Sequence, residues 1–154
     1  MKKYIKLIRV KHYIKNSLIF LPIIFSQRIT DITALTKTLI TFILFCISAS
    51  IIYVVNDIKD IDKDRNHPKK KNRPLASGEI SIKQAIKVII ILSIILICGM
   101  IISFRSNAYV TVVILLYIIM NMLYSMKLKN IPILDITILA TGFLIRVVLR
   151  SSSK

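Results

Sequence analysis

Four of the chain's seven acidic residues lie within eight consecutive positions, between two long apolar segments: Asp57, Asp60, Asp62 and Asp64. The preceding segment, residues 39–58, predicts a helix that we expect to continue through this stretch. In such a helix, Asp57, Asp60 and Asp64 fall within about 60° of one another, and Asp62 points away. Three carboxylates on one face favour a divalent cation. Their hard oxygen ligands suit Mg²⁺, which commonly shares its coordination with substrate phosphates.

A run of cations follows the carboxylates and bears on the kind of substrate: Arg65, Lys69, Lys70, Lys71 and Arg73. Carboxylates that hold a metal beside Arg and Lys are suited to a diphosphate leaving group, because metal and cations offset the charge that develops as it departs. Gly78 and Ser81 predict a turn and the N-cap of the next helix. Two simpler interpretations stay open: a solvated acidic face, and a basic loop that contacts lipid head groups.

The composition places the chain among membrane proteins. Of its 154 residues 55% are hydrophobic, and the mean hydropathy is +0.71, more apolar side chain than a soluble domain of this size buries. The formal net charge of +16 would indicate nucleic acid in a soluble protein. Here it indicates cytoplasmic loops, anionic lipid head groups or anionic substrates, and we expect no nucleic-acid partner.

Five segments are candidate membrane-spanning helices, since about 20 apolar residues cross a bilayer. They are Tyr13–Ile29, which is marginal and contains Pro22, and residues 39–58, 82–104, 108–126 and 131–149. We therefore predict an all-α polytopic membrane bundle of about five helices in a single domain, residues 1–154. Asp135 lies within the last segment, where a charged side chain usually faces a cavity or a partner.

The distribution of Lys and Arg predicts the orientation. If the five segments alternate across the membrane, 17 of these cations fall on one side, in residues 1–15, 59–87 and 127–130, and three fall on the other. Because cytoplasmic loops carry the excess of Lys and Arg, the N-terminus and the loop that follows Asp64 are expected in the cytoplasm. The predicted location is the inner or plasma membrane.

The spacing N-D-x-x-D-x-x-x-D, from Asn56 to Asp64, resembles the first aspartate motif of the UbiA superfamily of intramembrane prenyltransferases. The blocks at residues 9–26, 62–81 and 124–135 resemble the branch typified by decaprenyl-phosphate phosphoribosyltransferase. The resemblance implies a bundle of nine transmembrane helices around a cavity that opens to lipid. It also implies that Asp57, Asp60 and Asp64 are catalytic and bind Mg²⁺.

In the phosphoribosyl branch the donor is phosphoribosyl pyrophosphate and the acceptor is a polyprenyl phosphate. In most other branches a polyprenyl diphosphate alkylates an aromatic acceptor, and this alternative stays open because both donors lose diphosphate. The cations around the aspartates favour phosphoribosyl pyrophosphate, because this donor carries one more phosphate. On this basis the predicted substrate-binding residues are Lys15, Asn16, Asn56, Arg65, Lys71, Arg73, Tyr124, Lys127 and Asp135.

The length departs from the resemblance. Members of that superfamily are nearly twice as long, and a second polar motif on their later helices completes the site. We therefore expect an N-terminal half or a truncated member, with a C-terminal half or a second copy as a possible partner. The alternative from another class is a non-catalytic half that binds lipid phosphate or pairs with another subunit.

Overall fold

The computed structural model describes residues 2–25, 27, 29–106 and 108–123, and every regular element in those ranges is helical. The α-helices are α1 (Lys2–Leu7), α2 (Tyr13–Asn16), α3 (Leu21–Phe25), α4 (Ile32–Lys59), α5 (Ile61–Arg65), α6 (Ile82–Ser106) and α7 (Ala108–Leu123). The predicted all-α class is confirmed. The expected fifth segment, residues 131–149, lies outside the described residues.

The first apolar segment is helical but broken, where one continuous span was expected. Short 3-10 turns, Val10–His12 and Ser17–Phe20, separate α1, α2 and α3. Pro22 has no backbone N–H to donate, so a regular helix cannot run through this region without losing a hydrogen bond. The broken segment lies along α4, where the ring centroids of Phe20 and Phe42 are 5.3 Å apart.

The long helices α4 and α6 form the membrane-length part of the fold. Asp31 caps α4, since its Oδ1 accepts a hydrogen bond from the backbone N–H of Ala34 at 3.0 Å. Within the described part of the chain, Ile32–Lys59 and Ile82–Ser103 are the two helices long and apolar enough to cross a membrane. Both pack against α7, around a core cluster of Leu44, Leu96 and Ile114.

A second core cluster holds the polar end of the molecule together. It contains Leu7, Val54, Ile61, Leu75, Ile80 and Ala85, which come from α1, the end of α4, α5, the loop 66–80 and the start of α6. Ser81 and Gln84 cap α6 reciprocally, at 3.0 and 3.3 Å, and Gly78 has a positive φ of 80°. The predicted turn and cap are thereby confirmed, and the loop is anchored at both ends.

Candidate active site

Two of the predicted carboxylates, Asp57 and Asp64, are buried where α4 passes into α5, each only 3% exposed. The helix is interrupted between them at Asp60, whose φ and ψ are −100° and 12°. Backbone hydrogen bonds from Asp60 N to Asn56 O, 3.0 Å, and from Asp64 N to Asp60 O, 2.8 Å, keep the helical course across the break. Asp57 and Asp64 therefore stay on the same side, as the helical period predicted.

Arg73 joins these two carboxylates. Its Nη1 donates to Asp57 Oδ1 at 3.1 Å and to Asp64 Oδ2 at 2.6 Å. The loop returns Arg73 to this position after the 3-10 turn Lys70–Asn72, where its backbone N–H donates to Lys70 O at 2.9 Å. Because one guanidinium nitrogen contacts both carboxylates, their oxygens converge on a point that suits a cation.

A second arginine, Arg9, lies before the carboxylates in the sequence and contacts the same oxygen of Asp57. Its Nη2 donates to Asp57 Oδ1 at 2.5 Å, and its guanidinium lies over the Tyr53 ring, 4.7 Å from the centroid. The His12 ring also packs on Tyr53, with centroids 5.8 Å apart. Burial, followed by the charges of Arg9 and Lys15, lowers the pKa of His12 and so disfavours its charged form. The site is thus a buried carboxylate pair between two guanidinium groups.

Sequence reasoning missed Arg9 and Tyr53 as site residues. Arg9 is 48 residues from Asp57, and helical periodicity relates only residues within one helix. The one signal in the sequence was that Arg9 opens the first of the blocks that resemble the phosphoribosyl branch.

The chemistry of the pair fits a divalent cation. Carboxylate oxygens are hard ligands, and Mg²⁺ often takes one or two carboxylates and completes its coordination with waters and substrate phosphates. Among the described residues, no three His, Cys, Asp or Glu side chains lie close enough together to hold a metal ion. Asp57 and Asp64 converge on Arg73, and Asp60, the third residue of the expected set, is half-buried at the break between α4 and α5.

The fourth acidic residue of this stretch, Asp62, lies apart from the buried pair, as predicted. The Asp62 side chain is 96% exposed and pairs with Arg65 at 3.6 Å. Arg65 also donates through Nε to the carbonyl oxygen of Ala76 at 3.4 Å. Arg65, a predicted substrate contact, thus accompanies Asp62, whereas Arg73 accompanies the buried pair. Lys71 is exposed in the same loop.

The predicted contacts from the first segment lie in two different environments. Lys15 is exposed. Asn16 faces α4, where its Nδ2 donates to Cys46 Sγ at 3.4 Å. Cys46 precedes Asp57 by eleven residues, or about 16 Å of helix, so Asn16 is not brought to the carboxylate pair. Asn56 is half-buried beside Asp57.

The predicted contacts Tyr124, Lys127 and Asp135 lie outside the described residues. Among the described residues of α7, the polar side chain nearest to them in the sequence is Asn121. Its Nδ2 donates to the carbonyl oxygen of Tyr117 on the same helix at 2.8 Å.

An apolar groove of about 60 Å³ lies between α4 and α7. Its lining residues are Ser48, Ile51, Ile52, Val55, Lys59, Ile118 and Asn121. Along α4 it extends from Ser48 to Lys59, the last residue of the helix and two residues beyond Asp57. The groove therefore leads from the apolar middle of the bundle to the end that carries the carboxylate pair.

The fold and the site define a class: an all-α membrane bundle with buried carboxylates and guanidinium groups at one end of a membrane-length helix. The chain belongs to the UbiA prenyltransferase family, which it matches over residues 18–151. Members of this family are integral membrane proteins and generally use a divalent metal.

Three relatives illustrate the range of the family. Decaprenyl-phosphate phosphoribosyltransferase of Mycolicibacterium smegmatis is 33% identical over 150 residues, which cover 94% of this chain and 46% of that protein. The protein of the same name from Corynebacterium glutamicum is 35% identical, over 92% of this chain and 43% of the relative. Digeranylgeranylglyceryl phosphate synthase of Methanocaldococcus jannaschii is 37% identical, over 71% and 36%. The chain thus spans less than half the length of these relatives.

Proposed function

We propose that this chain provides the donor site of a membrane transferase that moves a 5-phosphoribosyl group from phosphoribosyl pyrophosphate to a polyprenyl phosphate. The observation that carries the proposal is the convergence of Asp57 and Asp64 on Arg73 at the end of a membrane-length helix. The similarity to two phosphoribosyltransferases over more than nine-tenths of the chain supports the choice of donor.

In the proposed reaction an oxygen of the acceptor phosphate attacks the anomeric carbon of the donor. The bond between that carbon and the diphosphate oxygen breaks, and the diphosphate leaves with the electron pair. Asp57 and Asp64 are the proposed ligands of Mg²⁺, and Asp60, one turn from Asp57, is the third carboxylate proposed to act with them. When bound, the metal neutralises charge on the diphosphate.

The arginine between the carboxylates has the second proposed role. The Arg73 guanidinium is planar and presents several donors, a geometry that suits phosphate oxygens as well as carboxylates. It is placed to bind the departing diphosphate and to offset its charge. The other proposed substrate contacts are those predicted from the sequence: Lys15, Asn16, Asn56, Arg65, Lys71, Tyr124, Lys127 and Asp135.

The groove between α4 and α7 supports a lipid-linked acceptor. An isoprenoid chain is apolar, as is the lining of the groove, and Lys59 at its end offers a cation to the phosphate of the acceptor. With the loop 66–80 on the cytoplasmic side, as its cations predict, a water-soluble donor reaches the site from the cytoplasm and the acceptor reaches it from the inner or plasma membrane.

The test measures turnover in membranes. The chain is expressed alone and together with the C-terminal half of the Corynebacterium glutamicum relative, and the membranes receive phosphoribosyl pyrophosphate labelled in the ribose and decaprenyl phosphate. The expected result is label in the lipid extract, dependent on Mg²⁺, from at least one of the two preparations.

Two other results would replace this proposal. Turnover only with a polyprenyl diphosphate and an aromatic acceptor would assign the chain to the prenyl-transferring branch. Lipid-phosphate binding without turnover of either donor, even beside the C-terminal half, would make it a binding subunit.

A further inference from the structure

The site contains one charged residue to which the resemblance gave no role. Arg9 donates to Asp57 Oδ1 at 2.5 Å and is 19% exposed. Arg73 divides its Nη1 between Asp57 and Asp64, and the proposed reaction needs both of these carboxylates for a metal. Arg9 approaches Asp57 separately, with its guanidinium over the Tyr53 ring, 4.7 Å from the centroid. This cation–π contact supports the guanidinium on one side and so restricts the direction from which it holds Asp57.

The backbone at Arg9 is adapted to this contact. Arg9 has φ and ψ of 54° and 46°, the left-handed region that residues other than glycine rarely adopt. The Cβ of a residue other than glycine crowds the backbone in this conformation, so other contacts must hold it. Leu7, two residues earlier, is fully buried in the core cluster beneath the site. The fold thus maintains an unfavourable backbone conformation at the residue that reaches Asp57.

Helix α1, which contains Leu7, also binds the loop that carries Arg73. Lys6 Nζ donates to the carbonyl oxygen of Asn72 at 2.6 Å, and Lys3 Nζ donates to that of Glu79 at 3.2 Å. Asn72 directly precedes Arg73. The two guanidinium groups that meet at one oxygen of Asp57 are therefore carried by segments that bind each other.

We propose that Arg9, supported by Tyr53, is a positioning residue that holds the Asp57 carboxylate in the orientation needed to bind the metal with the diphosphate. This role rests on the proposed function. It follows from the different roles of the two arginines. Arg73 can turn to the diphosphate only if another group keeps Asp57 in place, and Arg9 is that group.

The test uses a variant that conserves charge. Removal of a cation beside a carboxylate raises metal affinity by electrostatics alone, so Arg9→Gln is ambiguous. Arg9→Lys keeps the charge but loses the planar fork of donors and the guanidinium that lies over the Tyr53 ring. The chain is reconstituted in nanodiscs, and binding of Mn²⁺ in the presence of inorganic diphosphate is measured by electron paramagnetic resonance.

The expected result is about tenfold weaker Mn²⁺ binding in Arg9→Lys, the size of effect that partners of metal ligands commonly have. Tyr53→Leu should weaken binding about threefold through loss of the stacking interaction, and Tyr53→Phe, which keeps the ring, should bind like the unmodified chain. Lys11→Gln, which removes an exposed cation of the same segment, is the control and should stay within about twofold.

Unchanged Mn²⁺ affinity in Arg9→Lys, with Arg9→Gln and Lys11→Gln both binding more tightly, would show that Arg9 acts only through its charge and would overturn the positioning role. Failure of the unmodified chain to bind Mn²⁺ with diphosphate would instead overturn the proposed function. If Arg9→Lys does not fold, as judged by circular dichroism and gel filtration, the pair Tyr53→Leu and Tyr53→Phe decides, and equal affinity of these two would also overturn the role.

Discussion

The two membrane-length helices, α4 and α6, are alike in composition but differ in their surroundings. In the most apolar part of α4, 39% of the residues are buried inside the molecule, against 11% in α6. α4 contacts the broken first segment, α6 and α7, and ends in the buried Asp57, whereas most of the large side chains of α6 are exposed. Hydropathy therefore identifies both helices as spans, and the buried acid at the end of one identifies which of them positions the site.

The largest predicted effect tests whether the end of α4 is chemically special. Asp57→Asn removes a buried negative ligand, the carboxylate that pairs with Arg9 and one of the two that pair with Arg73. Loss of this charge stabilisation should cost several kcal/mol and lower phosphoribosyl transfer about a hundredfold or more. The rate is measured with labelled donor in the two-part membrane preparation.

Asp62→Asn is the matched control, because it is the same chemical change five residues later on a side chain that is 96% exposed. Its effect should stay below about threefold. Equal damage from the two substitutions would mean that the acidic stretch acts as a diffuse charge, and the contrast between buried and exposed carboxylates would have no functional meaning.

The next prediction compares the two arginines of the loop region. Arg73→Gln removes the guanidinium shared by Asp57 and Asp64, and the loss of about 2 kcal/mol of charged hydrogen bonding should reduce the rate about thirtyfold. Arg65→Gln removes a proposed substrate contact that is exposed to solvent and pairs with the exposed Asp62, so the rate should fall much less than in Arg73→Gln, by about threefold. A larger effect of Arg65→Gln would place the donor on the exposed side of α5.

Part of this arrangement could be predicted from the sequence. Helical period placed Asp57 and Asp64 together and Asp62 apart, and it did so despite the break at Asp60, because the backbone hydrogen bonds continue across it. The cap at Ser81 could also be predicted, since both partners lie within four residues. These are local relations, which a sequence displays directly.

The rest depended on contacts between distant residues. No periodicity connects Arg9 with Asp57, and the left-handed backbone that brings Arg9 there is not encoded by a glycine. The first segment is apolar enough to suggest one helix, but it is divided by 3-10 turns and follows α4 in short pieces. The interruption of the helix between Asp57 and Asp64 likewise depends on the φ and ψ of one residue, Asp60.

A third prediction concerns the contact between α4 and α6. A methyl group added at Gly99 would collide with the Leu44 side chain, which is itself buried. Gly99→Ala should therefore lower the free energy of unfolding in detergent by about 1–3 kcal/mol. Ile97→Ala, at an exposed position of the same helix, should change it by less than about 0.5 kcal/mol. A stable Gly99→Ala variant would show that the two helices can separate without loss, and that α6 is held mainly by the loop.

The smallest predicted effect lies between the broken segment and α4. Tyr13 OH and Ser50 Oγ are hydrogen-bonded at 2.7 Å, and the single hydroxyl hydrogen of Ser50 is shared between the carbonyl oxygens of Ile8 and Cys46, each 2.9 Å from Oγ. Polar contacts between membrane helices contribute only about 0.6 kcal/mol on average, because the separated helices find other partners. A double-mutant cycle with Tyr13→Phe and Ser50→Ala, read by unfolding in detergent, should give a coupling of about that size.

The cycle is needed because Ser50→Ala alone also removes the donor to the two carbonyl oxygens. Zero coupling would mean that apolar contacts such as Phe20 against Phe42 hold the segment. Arg9 would then depend for its position beside Asp57 on the Leu7 core, the Tyr53 ring and the contacts of Lys3 and Lys6 with the loop.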